Sequence, residues 1–295
     1  MRVHLVTMVG HSVTTLAPML THYRELGIES FHIYLHRAPG RDAALEEAQD
    51  LCRSVPGAVT HIIEGDWLDC QAKAFSEMSG CPNDWFVLAD QDEFQLYPAK
   101  LESVLQECES HGFDHVRGAL VDRVAAEGAL PPLDPSLSVW EQYPIGTVLT
   151  YAVCGGDPRK IVAARGSVRL ANGGHHTAIS GRALPVSALL VQVHHFKWVA
   201  GVVEYLQART SCSPPYASLV QQEAERFLLF FEANGHRIPL EEPGLLAQRC
   251  TPHYPKWSAV TALLNSVELY DKVTRMYSKL VSDGTRGPEP PPTHG

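Results

Sequence analysis

Apolar and polar residues alternate in short blocks through the first half of the chain. Residues 3–9 form an apolar run that predicts a strand. Leu16, Met19, Leu20, Tyr23 and Leu26 then recur three or four apart, the spacing of one helical face, with Thr14 or Thr15 placed to cap the helix and Gly27 to end it. The alternation continues with a strand over 31–35, a helix over 42–53, a strand over 59–63, a short helix over 71–78, a strand over 85–89 and a helix over 99–108. Strand and helix units of this length imply an α/β fold with a mostly parallel sheet flanked by helices.

The second half is less regular. Strands are expected over 115–121, 160–164 and 188–193, with a loop at Pro131, Pro132 and Pro135 and a Gly173-Gly174-His175-His176 turn. Helices are expected over 199–209, 219–234 and 258–280, and the proline-rich end reads as a disordered tail. The expected division is a main domain over 1–200, a helical extension over 201–284 and a tail over 285–295.

The strand that begins at Trp85 ends in Asp90-Gln91-Asp92-Glu93-Phe94. Four apolar residues after Trp85 read as a buried strand, and acids cannot continue it into a core. Asp90 and Asp92 therefore belong at the carboxyl edge of the sheet, where open α/β proteins bind ligands. A pair of carboxylates two apart suits a hard divalent cation that also takes phosphate oxygens. The alternative is a solvated acidic turn.

Composition narrows the partners. The 24 basic and 33 acidic residues give a net charge of −9, which argues against nucleic acid or an anionic membrane. Seven cysteines without a CxxC pair suit a reducing cytoplasm, and neither a signal peptide nor a membrane span is read. The signatures GxGxxG, GxxxxGK[ST], GxSxG and HExxH are missing.

Other candidates each have a functional and a structural reading. His194 and His195 follow an apolar run, either as ligands near a strand end or as histidines bonded to backbone. His175 and His176 could meet acceptor hydroxyls or diphosphate, or lie in a surface turn. Asp122 and Arg123 could pair with each other, or Arg123 could hold an acceptor carboxylate or phosphate. Lys160 could face a diphosphate, and Trp198 could stack on a sugar or pack in a core. Cys250 and His253 have no second ligand pair and are discounted as a zinc site.

The block from Trp85 to Phe94, reading W-x-x-x-x-D-x-D-E-F, resembles the family 2-like group of nucleotide-diphospho-sugar glycosyltransferases of the GT-A fold. The first helix, Gln71-Ala72-Lys73 and His195-Phe196-Lys197-Trp198 are similar to further segments of that group. The resemblance implies a Rossmann-like GT-A sheet, an Mn²⁺ or Mg²⁺ cofactor and a nucleotide-diphosphate sugar donor, a UDP-sugar by default, with an unidentified hydroxyl acceptor. It implies Asp90, Asp92 and His195 as metal ligands, and Val9, His11, His36, Lys73, Asp90, Gln91, Asp92 and Lys160 around the donor. Glu93, Arg123, His175, His176, His194 and Trp198 fall to the acceptor side. An inverting transfer needs a base, for which Asp122 and then Glu127 are the candidates. At two places near the base and ribose the chain departs from the group, with Val9-Gly10-His11 and Leu35-His36-Arg37 where relatives carry other residues.

Overall fold

A computed structural model describes residues 1–10, 13–37, 42–171, 177–185, 190–211, 217–250, 260–263 and 265–267. His11, His175 and His176 lie outside the described residues, as does most of the helix expected over 258–280. The chain divides into a compact unit Met1–Lys256 and a second unit Trp257–Gly295.

The first unit is a mixed α/β structure. Strands β1 (Val3–Val9), β2 (Ser30–Arg37), β3 (Ala58–Glu64) and β4 (Trp85–Leu88) run parallel, with β1 between β2 and β4. Their connections are helices α1 (Leu16–Glu25), α2 (Asp42–Arg53) and α3 (Trp67–Ser76). In α1 the expected stripe Leu16, Met19, Leu20 and Tyr23 is buried, and Gly27 takes φ 90° just beyond the helix, a conformation open to glycine. Helix α3 starts earlier than the apolar pattern suggests, because the Asp66 carboxylate accepts the Asp69 N–H at 3.4 Å and closes the first turn.

Beyond β4 the sheet turns antiparallel. Strand β5 (Glu93–Leu96) leads to helix α4 (Leu101–Ser110) and then to the ten-residue strand β6 (His115–Val124), which is the hub of the second half. Along its length β6 pairs antiparallel with β7 (Ile145–Thr147) and β8 (Arg159–Arg165), and parallel with β9 (Ala183–Leu184) and β10 (Val191–His195). Strand β8 also pairs with β4, joining the halves, and β10 pairs with β5. A single-turn helix α5 (Val139–Gln142) precedes β7. Helices α6 (Val202–Arg209) and α7 (Ala217–Ala233) follow β10, and β11 (Gln248–Arg249) closes the edge against β7.

Two apolar layers cover β1, β2 and β4. One contains Leu5, Phe31 and Val87 with α1 and α2, and the other contains Val6, Tyr34 and Phe86 with α3. A third cluster gathers Val124, Leu149, Trp198, Leu206 and Phe227, so α6 and α7 pack on the β6–β10 region. The boundary expected at 200/201 thus falls inside the compact unit. Among the described residues no helix is long and apolar enough to cross a membrane, and Cys52, Cys70, Cys81, Cys108, Cys154 and Cys250 are free thiols.

Candidate functional site

The sequence Asp90-Gln91-Asp92-Glu93 is a tight turn between β4 and β5, closed by the Glu93 N–H donating to the Asp90 carbonyl at 3.0 Å. It stands at the carboxyl ends of β1 and β4, and the Gly10 N–H at the end of β1 donates to Gln91 Oε1 at 3.3 Å. The turn is braced from the far side too, where the Phe196 N–H donates to the Asp92 carbonyl at 2.8 Å. Strand β10 ends here because its pairing with β5 sets His195 opposite Glu93, and its pairing with β6 sets His195 beside Asp122.

These pairings bring His195 to one rim with Asp90, Asp92 and Asp122, where Lys160 and Gln71 join them. His195 Nε2 faces Asp92 Oδ2 at 3.5 Å, and its Nδ1 lies 3.1 Å from Asp122 Oδ1. Asp90 takes the Lys160 ammonium at 2.9 Å, and Gln71 Nε2 reaches its other oxygen at 3.5 Å. Burial alone would depress the His195 pKa, but the charge on Asp92 and the bond to Asp122 reverse this and raise it to about 9. Burial works against ionising Asp92 and Asp122 as well, and His195 outweighs it, holding both below the ordinary carboxylate value. Lys160 behaves alike: burial disfavours its charge, yet Asp90 and Glu93 push its pKa up.

Several residues take places other than the sequence suggests. Asp122 is 1% exposed, and its oxygens accept bonds from Thr150 N (2.6 Å), Thr150 Oγ1 (2.7 Å), Trp198 Nε1 (2.7 Å) and His195, which leaves no approach for an acceptor hydroxyl. Trp198 is fully buried, with its ring 4.3 Å from that of Phe227, so it packs α7 rather than facing a sugar. Glu93 is fully buried and bonded to Lys160, which removes both from direct acceptor and diphosphate contact. Arg123 and His194 are fully buried on the opposite face of the β6–β10 ladder, with Arg123 Nη1 and His194 Nδ1 at 3.2 Å. The Val9 side chain belongs to the core. Lys73 is exposed on α3, and Gln71, one turn-face away, is the α3 residue that meets the turn.

Glu127 sits exposed on the turn after β6, where its carbonyl accepts bonds from Arg237. His36, at the end of β2, lies edge-on to Trp67 and within 2.9 Å of the Gly65 carbonyl. Trp67 presses on Gly10 so closely that a Cβ there would lie 2.2 Å from its ring. Thr150 had no motif to announce it, since it belongs to a one-turn π-helix, Thr150–Cys154, after β7. Lys197 stands in the His195-Phe196-Lys197-Trp198 run, the one sequence signal that points to it. Its ammonium stands 5.1 Å from the Trp198 ring, and burial followed by the neighbouring Arg209 charge lowers its pKa.

Among the described residues no group of three or more His, Cys, Asp or Glu side chains is arranged to hold a metal. Asp92 and His195 are the pair that could supply two ligands, with Nδ1 of the imidazole held by a carboxylate, as in metal-binding histidines. Magnesium-type sites take one or two protein carboxylates and fill the rest of the shell from phosphate and water. The rim fits a shared site of that kind, with Asp90 drawn off toward Lys160.

No family model and no curated protein matches the chain. Among solved structures, S. aureus TarS 1–349 aligns over 82% of this chain and 76% of its own, at 10% identity and a TM-score of 0.40. The same protein in complex with UDP-GlcNAc aligns over 83% and 79%, at 11% identity and a TM-score of 0.35. HddC from Yersinia pseudotuberculosis aligns over 45% of this chain and 65% of its own, at 8% identity and a TM-score of 0.27. Likeness of this degree carries no argument about activity, which has to come from the residues of the rim.

Proposed function

We propose that the chain is a metal-dependent glycosyltransferase of the GT-A type, moving a sugar from a nucleotide-diphosphate donor to an acceptor hydroxyl with inversion. The observation that supports this best is the Asp92–His195 pair at 3.5 Å on a turn at the carboxyl ends of parallel strands, where α/β proteins bind nucleotides. Asp92 and His195 would hold Mn²⁺ or Mg²⁺ against the diphosphate. A cation so placed neutralises charge on the departing phosphate, worth several kcal/mol in such reactions.

The other residues bind and orient. Lys160 keeps Asp90 and Glu93 ionised and the turn fixed. Gly10, His36 and Trp67 line the ends of β1 and β2, beside the turn, where a base and ribose would lie. With Asp122 enclosed, Glu127 is the carboxylate this reading keeps for deprotonating the acceptor.

Calorimetry of UDP and UDP-GlcNAc with and without Mn²⁺ tests the reading. Binding that strengthens with Mn²⁺ in the native chain and loses that gain in Asp92→Ala is the expected result. Affinity indifferent to metal would remove the cation from the proposal, and no affinity across the common nucleoside diphosphates would remove the function. A second reading, a non-catalytic nucleotide-sugar binder, is favoured by the internal neutralisation of Asp90 by Lys160. Hydrolysis of bound donor at a measurable rate would exclude it.

A further inference from the structure

The carboxylate of Asp122 has more donors than a simple ion pair needs. Its Oδ1 accepts from His195 Nδ1, Trp198 Nε1 and Thr150 Oγ1, and its Oδ2 accepts from the Thr150 N–H. The donors come from three separate segments: the end of β10, the stretch beyond it, and the π-turn after β7. Single-turn π-helical segments are rare and are found frequently at functional sites. Here the turn brings both the backbone N–H and the hydroxyl of Thr150 onto one carboxylate.

Each donor restricts a different freedom. The bonds from Thr150 engage both oxygens and set the plane of the carboxylate, while Trp198, locked by Phe227, fixes Oδ1 from the side of α7. With Oδ1 fixed, the direction of the His195 Nδ1–H bond is fixed, and the opposite ring nitrogen has one place to point, the Asp92 edge at 3.5 Å. A solvent-exposed rim histidine without such a socket would sample several rotamers.

We propose that Asp122 is a positioning residue. Clamped by Thr150 and Trp198, it holds the His195 ring with Nδ1 inward and Nε2 presented to Asp92, forming a pre-aimed half of the cation site. The inference rests on the reading of Asp92 and His195 as cation ligands and assigns Asp122 a task distinct from proton removal. Carboxylates behind metal-binding histidines are typically worth 10–100-fold in affinity, so the socket should be measurable apart from any transfer activity.

The test compares the full-length native chain with Asp122→Asn, Thr150→Val and Trp198→Phe, using Mn²⁺ with UDP as the calorimetric probe. Proton NMR of the imidazole N–H signals is the second readout, with His195→Gln identifying the His195 resonance. Asp122→Asn should weaken Mn²⁺ binding by about 10–100-fold and remove the protected Nδ1–H signal, with far-UV circular dichroism unchanged. Thr150→Val and Trp198→Phe, which leave Asp122 in place, should weaken binding by a smaller factor and broaden the same signal. Asp122→Glu should restore part of the loss, which a purely structural role would not do.

If Asp122→Asn fails to fold, the two milder variants decide. Unchanged Mn²⁺ affinity together with an unchanged Nδ1–H signal in the folded variants would overturn the inference. If the native chain binds no Mn²⁺ with UDP, the cation reading fails, while the Nδ1–H signal still decides whether Asp122 sets the ring.

Discussion

His194 and His195 are neighbours on β10 and live in opposite electrostatic worlds. Successive side chains of a strand face opposite ways, so a step of one residue carries the imidazole through the sheet. On one face His195 lies between Asp92 and Asp122, which raise its pKa to about 9 in the metal-free chain, so a cation bound there would displace the Nε2 proton. On the other, His194 lies against Arg123 and the edge of Trp140, 5.2 Å between ring centroids, and burial followed by the Arg123 charge drives its pKa well below the usual value. Parallel pairing of β6 with β10 sets Asp122 beside His195 and leaves Arg123 to the His194 face. One face is balanced by opposite charges and the other by aromatic packing, with the Arg123 guanidinium 5.2 Å from the Trp140 ring and 5.7 Å from that of Phe196. Identity of residue type therefore says nothing about role; the facing neighbour does.

The largest effect should come from breaking the charge balance at its most enclosed point. Lys160→Met leaves Glu93, fully buried, and Asp90 without their cation. Removing one partner of such a group costs about 3–5 kcal/mol, to be read as a fall in the urea midpoint at unchanged m-value. A loss well below 1 kcal/mol would mean that water replaces the ammonium and that the rim is less enclosed than its geometry shows.

The paired histidines give the next test, a dissociation in binding. His195→Gln should reduce Mn²⁺-linked UDP affinity by about 100-fold, the top of the range for residues behind a ligand. It should also cost stability on the order of 1–3 kcal/mol at neutral pH, because Asp92 and Asp122 lose their cationic partner. His194→Leu should cost stability and spare binding. It leaves Arg123 Nη1 and Gln192 Oε1 without the ring that now bonds them, at a cost of about 1–3 kcal/mol, and leaves the affinity as it was. Equal effects of both variants on binding would refute the separation of the two faces.

The faces should also differ in pH dependence. For His195 the folded pKa lies above the unfolded value of about 6.5, so its stabilisation is complete below that pH and is lost as pH rises through about 9. For His194 the folded pKa lies below, so its contribution is complete above about pH 6.5 and falls away as the pH drops and the unfolded chain takes the proton. His115 adds to the acid side, since burial and then Arg117 lower it to about 4 and neither ring nitrogen has a bonding partner among the described residues. Metal-free urea titrations should show stability declining at both ends, on the order of 1–3 kcal/mol each. His195→Gln should remove the alkaline limb up to about pH 9, above which the buried Cys108 and Cys154 thiols, raised by burial, add a decline of their own. His194→Leu should shrink the acid limb. An alkaline limb below about pH 9 that survives His195→Gln would assign it to another group.

Much of the first half was legible from the sequence because parallel strands and amphipathic helices write their environment plainly. The bounds of β1 and α2 coincide with the apolar pattern, and the acids after Trp85 do emerge at the sheet's carboxyl edge. What could not be read is polar burial. Glu93 and Gln95 look like surface residues, yet both are fully buried in β5, because Lys160 answers one and the Leu88 carbonyl and the Tyr97 hydroxyl answer the other. Those partners lie on other elements, and no local pattern names them. Asp122 illustrates the same limit: its residue type suggested a base, and only the convergence of Thr150, Trp198 and His195 shows a carboxylate already spoken for. Lys73 and Gln71 differ for a simpler reason, a rotation of α3 that turns the amide and not the ammonium toward Asp90.

The smallest effect asks how far the packed face can be loosened before the charged one notices. Trp140, which covers His194 and Arg123, is carried by the single turn α5, and that turn is capped by Ser138, whose hydroxyl accepts the Trp140 N–H at 3.3 Å. Ser138→Ala removes the cap and should cost about 0.5–1 kcal/mol, visible as a small drop in the urea midpoint. Its hydroxyl is on the exposed side of the loop, so no buried group is left unpaired and the loss should not grow beyond that. Because Trp140 reaches the His195 side only through the thickness of the ladder, Mn²⁺-linked UDP binding should be unchanged. A change in that binding would show that the aromatic face sets the position of β10, and that the two faces, opposite in charge, are mechanically one.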